Sequence, residues 1–129
     1  MTLFNFFRRD RHSAKATEST SPNNWTGKDF EFLITGDIDI SVEDYDRIMT
    51  PNTFECTKVK KGDSLYYQVG EDEFVYSWEL PGIQMIFNKD IPFLKARQIA
   101  DEVVSNIKAT GQNAKLVVLN SSNLTKFDL

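Results

Sequence analysis

The sequence has very few residues of the types on which most catalytic and metal sites depend. Among its 129 residues there is one cysteine, Cys56, and one histidine, His12. A single cysteine excludes an intramolecular disulfide and a cysteine-rich zinc site, and it suits a reducing compartment. Because His12 falls before the predicted domain, a histidine-assisted nucleophile or a histidine general base inside the domain is not expected.

Long apolar runs and phosphate-binding motifs are also missing. No apolar stretch approaches the roughly 20 residues needed to cross a bilayer, so no transmembrane segment is predicted. In residues 1–12 the arginines follow the apolar part instead of preceding it, which is not the order of a secretory signal. The 6 glycines stand singly along the chain, so no glycine-rich phosphate loop is expected.

Negative charge is concentrated in one part of the chain, whose formal net charge is −4. Residues 1–24 carry four basic residues against Asp10 and Glu18, a net of +2, so residues 25–129 carry −6. An acidic domain does not bind nucleic acid through a basic surface, and nucleic acid is therefore not an expected partner.

Composition divides the chain into two parts. Residues 1–24 are predicted to be a flexible N-terminal tail, since residues 13–24 have the Ser, Thr, Asn and Pro content of a linker. Residues 25–129 have the length of a single domain. Within the tail, residues 3–11 combine Leu and Phe side chains with three arginines. That mixture also suits weak contact with an anionic membrane surface or a partner groove.

The clearest structural signal runs over residues 90–120. Apolar residues recur at steps of three and four across residues 93–107, which predicts one long amphipathic helix. Pro92 suits the first turn of that helix, and Gly111 is placed to end it in the left-handed conformation. The following segment Leu116–Leu119 is apolar on both faces, as is typical of a central strand. We expect the helix to pack across a sheet instead of presenting its apolar face to a partner.

Alternation of apolar and polar residues predicts strands in the rest of the domain. After a first strand over residues 30–35 and a short helix capped by Ser41, four alternating segments follow with short connections. The side chains predicted to point inward from these four segments are Phe54, Cys56, Leu65, Tyr67, Val69, Phe74, Tyr76, Trp78, Ile83, Met85 and Phe87. The expected fold class is α+β: an antiparallel sheet of about five to six strands with one long C-terminal helix packed across one face. The element order also fits an elaborated ferredoxin-like arrangement.

Two arrangements of carboxylates contain the residue types of a metal site or of a hydrolytic site, but the sequence does not show the residue spacing that either site requires. The alternating ligands of an EF-hand calcium loop are imitated by Asp37, Asp39, Ser41 and Glu43. Val42 stands where that loop requires glycine, so an EF-hand is excluded, and a weaker carboxylate metal site remains an alternative. Glu55 and Glu79 are a candidate pair of carboxylates for acid–base hydrolysis, but nothing in the sequence fixes the distance between them. We therefore expect neither a cofactor nor a metal.

Clustered negative charge is the remaining feature, and the sequence predicts a partner-binding role for it. The candidate residues form two groups, which are Asp37, Asp39, Glu43, Asp44 and Asp46, and then Glu71, Asp72 and Glu73. Such clusters are typical of a solubilising surface. They are equally typical of a recognition surface for a basic protein, where opposite electrostatic fields speed encounter. The function predicted from them is protein binding without turnover.

Over Trp25–Asn120 the chain resembles the immunity proteins that are paired with bacterial polymorphic toxins and contact-dependent growth-inhibition toxins. The resemblance is carried by general character: a small acidic, cysteine-poor α+β domain with the cluster DIDISVEDYD and the aromatic strand FVYSWELPGIQMIF ahead of one long helix. It implies a cytoplasmic bacterial protein that blocks a cognate toxin, often a nuclease with a cationic active site. No binding residue transfers by motif from families this divergent.

Two other classes of function remain open from the sequence. The first is a carboxylate-using hydrolase or ligand-binding domain, with Tyr66 and Glu79 among the polar groups of its cleft. The second is a peripheral membrane or assembly factor that docks through residues 3–11. A deep pocket with converging carboxylates would favour the first class. Loss of lipid binding on deletion of residues 1–12 would favour the second.

Overall fold

The structure, a computed structural model, describes residues 24–79 and 82–120, which form six strands and two helices. The strands are β1 (Phe30–Thr35), β2 (Thr57–Lys61), β3 (Ser64–Val69), β4 (Asp72–Glu79), β5 (Gly82–Phe87) and β6 (Lys115–Asn120). The helices are α1 (Val42–Met49) and α2 (Phe93–Lys108). The predicted tail lies outside the described residues apart from Asn24, as do residues 121–129 at the end of the predicted domain. No described helix has the length and apolar character needed to span a membrane.

The six strands form one sheet in the order β2-β3-β4-β5-β1-β6, and neighbouring strands are antiparallel throughout. The α+β class predicted from the sequence is confirmed. The elements β1, α1, β4, β5, α2 and β6 follow the βαββαβ order of a ferredoxin-like arrangement. The hairpin β2–β3 is inserted after α1 and extends the sheet beyond β4.

The hydrophobic core lies between one face of the sheet and the two helices. Alternation along β1 places Phe30, Phe32 and Ile34 on the helix-facing side, where all three are fully buried. The rings of Phe30 and Phe32 lie 5.2 and 5.9 Å from the ring of Phe93 at the start of α2. The fully buried side chains of α2 are Ala96, Ile99, Ala100, Val103 and Ile107. Each large apolar side chain buried here contributes about 1.5–3 kcal/mol before conformational entropy is subtracted.

Both ends of α2 agree with the signals in the sequence. Pro92 lies one position earlier than the predicted first turn, since it takes the N-cap position just before the helix, and the backbone N–H of Phe93 donates to the carbonyl of Trp25 at 3.1 Å. After the helix, Gly111 has a φ of 93° and its N–H donates to the carbonyl of Lys108 at 2.9 Å. Glycine adopts this left-handed conformation without the strain that a Cβ would cause.

The prediction that β6 is a central strand is wrong. Among the described strands β6 pairs with β1 alone and lies at one edge of the sheet. Leu116 and Val118 face the helices and pack against the core, whereas Val117 and Leu119 lie on the opposite face. All four side chains are half-buried, so an apolar composition on both faces did not distinguish an edge position from a central one.

Three residues predicted to point inward from strands have different environments. Leu65 and Trp78 keep 41% and 46% of their surface exposed, although their neighbours Tyr67 and Tyr76 pack inward. Cys56 packs half-buried against the core as predicted, but it lies in the connection before β2, which begins only at Thr57. Burial raises the pKa of the Cys56 thiol, which lowers its nucleophilic thiolate fraction at neutral pH.

Candidate functional site

The first acidic cluster surrounds the start of α1. Asp37 and Asp39 lie exposed in the loop between β1 and α1, while Glu43, Asp44 and Asp46 lie on the helix itself. The loop is held near the end of α2 because the backbone N–H of Asp39 donates to the side chain of Gln112 at 2.6 Å. The structure therefore places the five predicted carboxylates on two consecutive segments, the loop after β1 and the helix α1.

Two of the five carboxylates are used within the fold. Asp44 accepts hydrogen bonds from Arg47 and Ser41, both at 3.0 Å, and these bonds lower the pKa of its carboxyl group. Asp46 forms an ion pair with Lys58 of β2. Within the described residues, the carboxylates of Asp37, Asp39 and Glu43 form no salt bridge or hydrogen bond, so their negative charge is directed to solvent.

The second predicted cluster, at the turn between β3 and β4, has a mainly structural role. Asp72 is only 13% exposed and lies 2.7 Å from the ammonium group of Lys95 on α2. Its other oxygen accepts a hydrogen bond from Asn88 at 2.8 Å. Glu73 forms an ion pair with Lys61 at 3.0 Å, which leaves Glu71 as the exposed carboxylate of this group without such a pairing in the described part of the chain.

This difference between neighbouring acidic residues predicts a large effect on stability for one substitution and almost none for the other. Asp72→Ala should lower the free energy of unfolding by about 1.5–3 kcal/mol, because it removes two hydrogen bonds to a charged group and leaves Lys95 partly buried without its counter-ion. Glu71→Ala should stay within about 0.5 kcal/mol of the unmodified protein. Urea unfolding followed by circular dichroism measures both. Equal stability of the two variants would show that the Asp72–Lys95 pair contributes nothing.

An aromatic pair adjoins the first acidic cluster and was not predicted as part of a site. The indole N–H of Trp78 donates to the hydroxyl of Tyr45 at 3.1 Å, and their ring centres are 6.0 Å apart. Beneath them, the hydroxyl of Tyr76 donates to the carbonyl of Met49 at 2.7 Å. These contacts fasten α1 to β4 and leave Trp78 half-exposed beside the acidic residues. The alternation of side chains in β4 places Trp78 on the helix-facing side of the sheet. Alternation does not show how far the helices cover that side, so the exposure of Trp78 was not predicted.

A cavity of about 190 Å³ lies beside Trp78, between the end of β4, the start of β5 and the loop after β1. It is lined by Gly36, Asp37, Ile38, Trp78, Glu79, Gly82 and Ile83. A larger cavity of about 480 Å³ lies at the other end of β4 and includes Glu55 and Lys95 in its lining. The charge of Lys95 is already bonded to Asp72 and to the carbonyl of Val69.

The proposed hydrolytic pair is not assembled in this structure. Glu55 lines the larger cavity and Glu79 lines the smaller one, so the two carboxylates do not converge on one cleft. Tyr66 lies under the ammonium group of Lys61, which is 4.7 Å from the centre of its ring. Within residues 24–79 and 82–120, no group of three or more His, Cys, Asp or Glu side chains is arranged to hold a metal ion.

In comparisons with protein-family models, curated protein sequences and solved structures, no significant match to this chain is found.

Proposed function

We propose that this domain binds a basic protein through the surface formed by Asp37, Asp39, Glu43, Tyr45 and Trp78, here called the acidic–aromatic surface. The observation that carries the proposal is a half-exposed tryptophan next to carboxylates that have no partner among the described residues. An exposed indole forgoes the free energy of burial, and neighbouring unpaired carboxylates repel one another, so a basic partner that covers both would relieve both costs.

The two components of this surface have different physical roles in binding. Aromatic side chains are enriched at the centres of interfaces, where a few of them supply most of the binding energy. Carboxylates around such a centre attract a basic partner over a distance and select its orientation. With a charge of −6 outside residues 1–24, the domain repels acidic proteins and favours basic ones.

The kind of partner that suits this surface best is a toxin, and the domain would then act as an immunity protein in the bacterial cytoplasm. A nuclease has a cationic active site that binds the phosphate groups of its substrate. The carboxylates of an immunity protein can bind at the same site in place of those phosphates. Blocking such a site requires binding and no turnover. This role accounts for the acidity of the domain, and it rests on the resemblance in general character described above.

Charge reversal tests the proposed function. The immobilised chain is used to capture its partner from the source cells, and the captured protein is identified and purified. Binding kinetics are then measured over a salt series for the variant Asp37→Lys/Asp39→Lys/Glu43→Lys. We expect its association rate constant to fall by about tenfold or more at low salt, since electrostatic steering accounts for roughly 10–10³-fold.

Glu71→Lys is the matched control, because it reverses an exposed charge at the other end of β4. The Glu71→Lys variant should retain most of the association rate constant. Both this variant and the triple variant should unfold at the same temperature as the unmodified protein. A triple variant that binds with unchanged rate and salt dependence would show that the acidic residues only keep the domain soluble. The interface would then have to lie on another part of the sheet.

A further inference from the structure

Strands β3 and β4 pair with each other over only part of their lengths. The last pair is Tyr67 with Phe74. Beyond it, residues 64–66 of β3 and residues 75–79 of β4 do not pair with each other, although β2 and β5 still pair with their outer sides. The sheet therefore divides between β3 and β4, and this division is here called the fork.

The backbone groups of Tyr76 and Trp78 point into the fork. In an antiparallel ladder the N–H and C=O of one residue point to the same neighbouring strand, and those of the next residue point to the other neighbour. The carbonyl of Glu73 accepts from the N–H of Asn88 at 3.0 Å, so Glu73 faces the β5 side. By alternation Tyr76 and Trp78 face the β3 side, beyond the point where β3 and β4 pair. Unpaired strand edges of this kind are templates for a further strand.

Two apolar side chains that stay about half-exposed belong to the fork. Leu65 lies in the unpaired part of β3, and Trp78 lies in the unpaired part of β4. Both are on the helix-facing side, since each is an even number of residues from a buried residue of its own strand, Tyr67 or Phe74. The separation of the strands removes the cross-strand neighbours that a continuous sheet supplies.

A cavity of about 180 Å³ lies in the fork. Its lining comes from both strands and from α1: Tyr45, residues 63–65, Tyr67, Val75 and Tyr76. The carboxylate of Asp63, in the turn between β2 and β3, is exposed and forms no salt bridge or hydrogen bond within the described residues. The lining contains no lysine or arginine, because the lysines of β2 lie across β3 from the fork. The cavity therefore favours a positively charged neighbour.

The two faces of β4 in the fork differ in chemistry. On the helix-facing side are the rings of Tyr76 and Trp78, with Leu65 on the facing part of β3. On the opposite side β4 presents Ser77 and Glu79, whose side chains are hydrogen-bonded to each other at 2.7 Å. Side chains alternate along a strand, so a strand added here matches these faces when its apolar and basic side chains alternate.

We propose that an extended segment of the basic partner adds to the fork as a strand, antiparallel to residues 75–79 of β4. This inference rests on the proposed function and names the way in which the partner is held. Residues that lie directly opposite each other in an antiparallel pair have their side chains on the same face. The apolar residues of the segment therefore lie opposite Tyr76 and Trp78 and exchange backbone hydrogen bonds with them. Its basic residues lie on the side of Glu79.

Amide hydrogen exchange of the free, full-length chain tests the fork itself. The N–H groups of Tyr76 and Trp78 should exchange at least about tenfold faster than those of Val75 and Ser77, which bond to β5. Equal protection at every chain concentration would show that the chain itself fills the fork. Protection that rises with chain concentration would show that a second copy fills it. Either result overturns the proposal.

The binding probe is a heptapeptide of alternating lysine and valine, with lysine at both ends and both termini blocked. Titration of the full-length chain is followed by two-dimensional NMR. We expect saturable binding that slows the exchange of the Tyr76 and Trp78 amides by about tenfold at saturation. If the peptide does not bind, or binds without protecting these two amides, the proposal is wrong.

N-methylation of the peptide distinguishes its two edges. The valine N–H groups bond to β4 in the proposed arrangement, so methylation of the three valines should weaken binding by about tenfold or more. Methylation of three lysines is the matched control, because it removes as many N–H groups from the other edge. That peptide should bind within about twofold of the unmethylated one. Equal or greater weakening by lysine methylation would overturn the arrangement.

A charge placed in the fork provides a second test. Leu65→Lys should weaken binding of the unmethylated peptide by about five- to tenfold, because it replaces apolar contact with like charge. Leu94→Lys is the matched control on α2, at a position that is also exposed, and should bind the peptide as the unmodified chain does. Equal binding by the two variants would place the peptide elsewhere.

Failure of this inference is distinguishable from failure of the proposed function. If the peptide does not protect Tyr76 and Trp78 while the Asp37, Asp39 and Glu43 reversals still slow partner capture, the partner binds the acidic–aromatic surface without adding a strand. If the peptide adds to β4 while those reversals have no effect, the fork binds a strand and the acidic residues do not steer the partner.

Discussion

Replacing Val103 with aspartate is expected to abolish the cooperative unfolding transition of the domain. Val103 is fully buried in the middle of α2, against the helix-facing side of the sheet. A carboxylate at this position has to be buried without a partner or protonated, and a large destabilisation, more than about 4 kcal/mol, follows from an unpaired buried charge. Small domains have only about 5–15 kcal/mol of stability to lose.

Leu94→Asp is the matched control for this prediction. It introduces the same side chain into the same helix at a position that is 60% exposed. Thermal unfolding followed by circular dichroism should show a normal transition for Leu94→Asp and none, or one far below it, for Val103→Asp. If the two variants melt alike, α2 does not pack through Val103 and the described core is wrong.

The second large effect is expected from Gly27→Ala. Gly27 is buried, and a Cβ atom there would lie 1.7 Å from the carbonyl oxygen of Asn88 and 3.1 Å from the side chain of Ile91. The obstructing atom belongs to the backbone, so the segment that leads into α2 has to move. Overpacking typically costs about 1–3 kcal/mol, and a clash this short belongs at the upper end of that range. The melting temperature should fall by about 4–8 °C for each kcal/mol.

Gly62→Asn tests whether steric conflict is the cause. Gly62 has a left-handed backbone conformation, with a φ of 63°, but nothing lies within 4 Å of a Cβ at this position. Asparagine tolerates the left-handed conformation better than most residues. Gly62→Asn should therefore change the melting temperature by only a few degrees. A Gly27→Ala variant as stable as this control would show that the approach of residues 27 and 88 is looser than described.

The 190 Å³ cavity beside Trp78 could not have been predicted from the sequence. Its lining comes from the loop after β1, the end of β4 and the start of β5, which meet only because β1 and β5 are paired. The acidic cluster at residues 37–46 was visible as composition. Its neighbour Trp78 was expected in the core, since alternation reports the face of a strand and not the extent of the helix above it.

Local patterns by themselves determined the elements from which the fold is built. Some features depend only on interactions within a few residues, so they can be predicted directly from the sequence. They are the helix over residues 93–107, the N-cap at Ser41 and the left-handed conformation of Gly111. The tertiary structure alone decided that β6 lies at an edge and that Asp72 is neutralised by Lys95, 23 residues away. Strand order and ion-pair partners depend on which distant segments come together, and the same local sequence is compatible with several such choices.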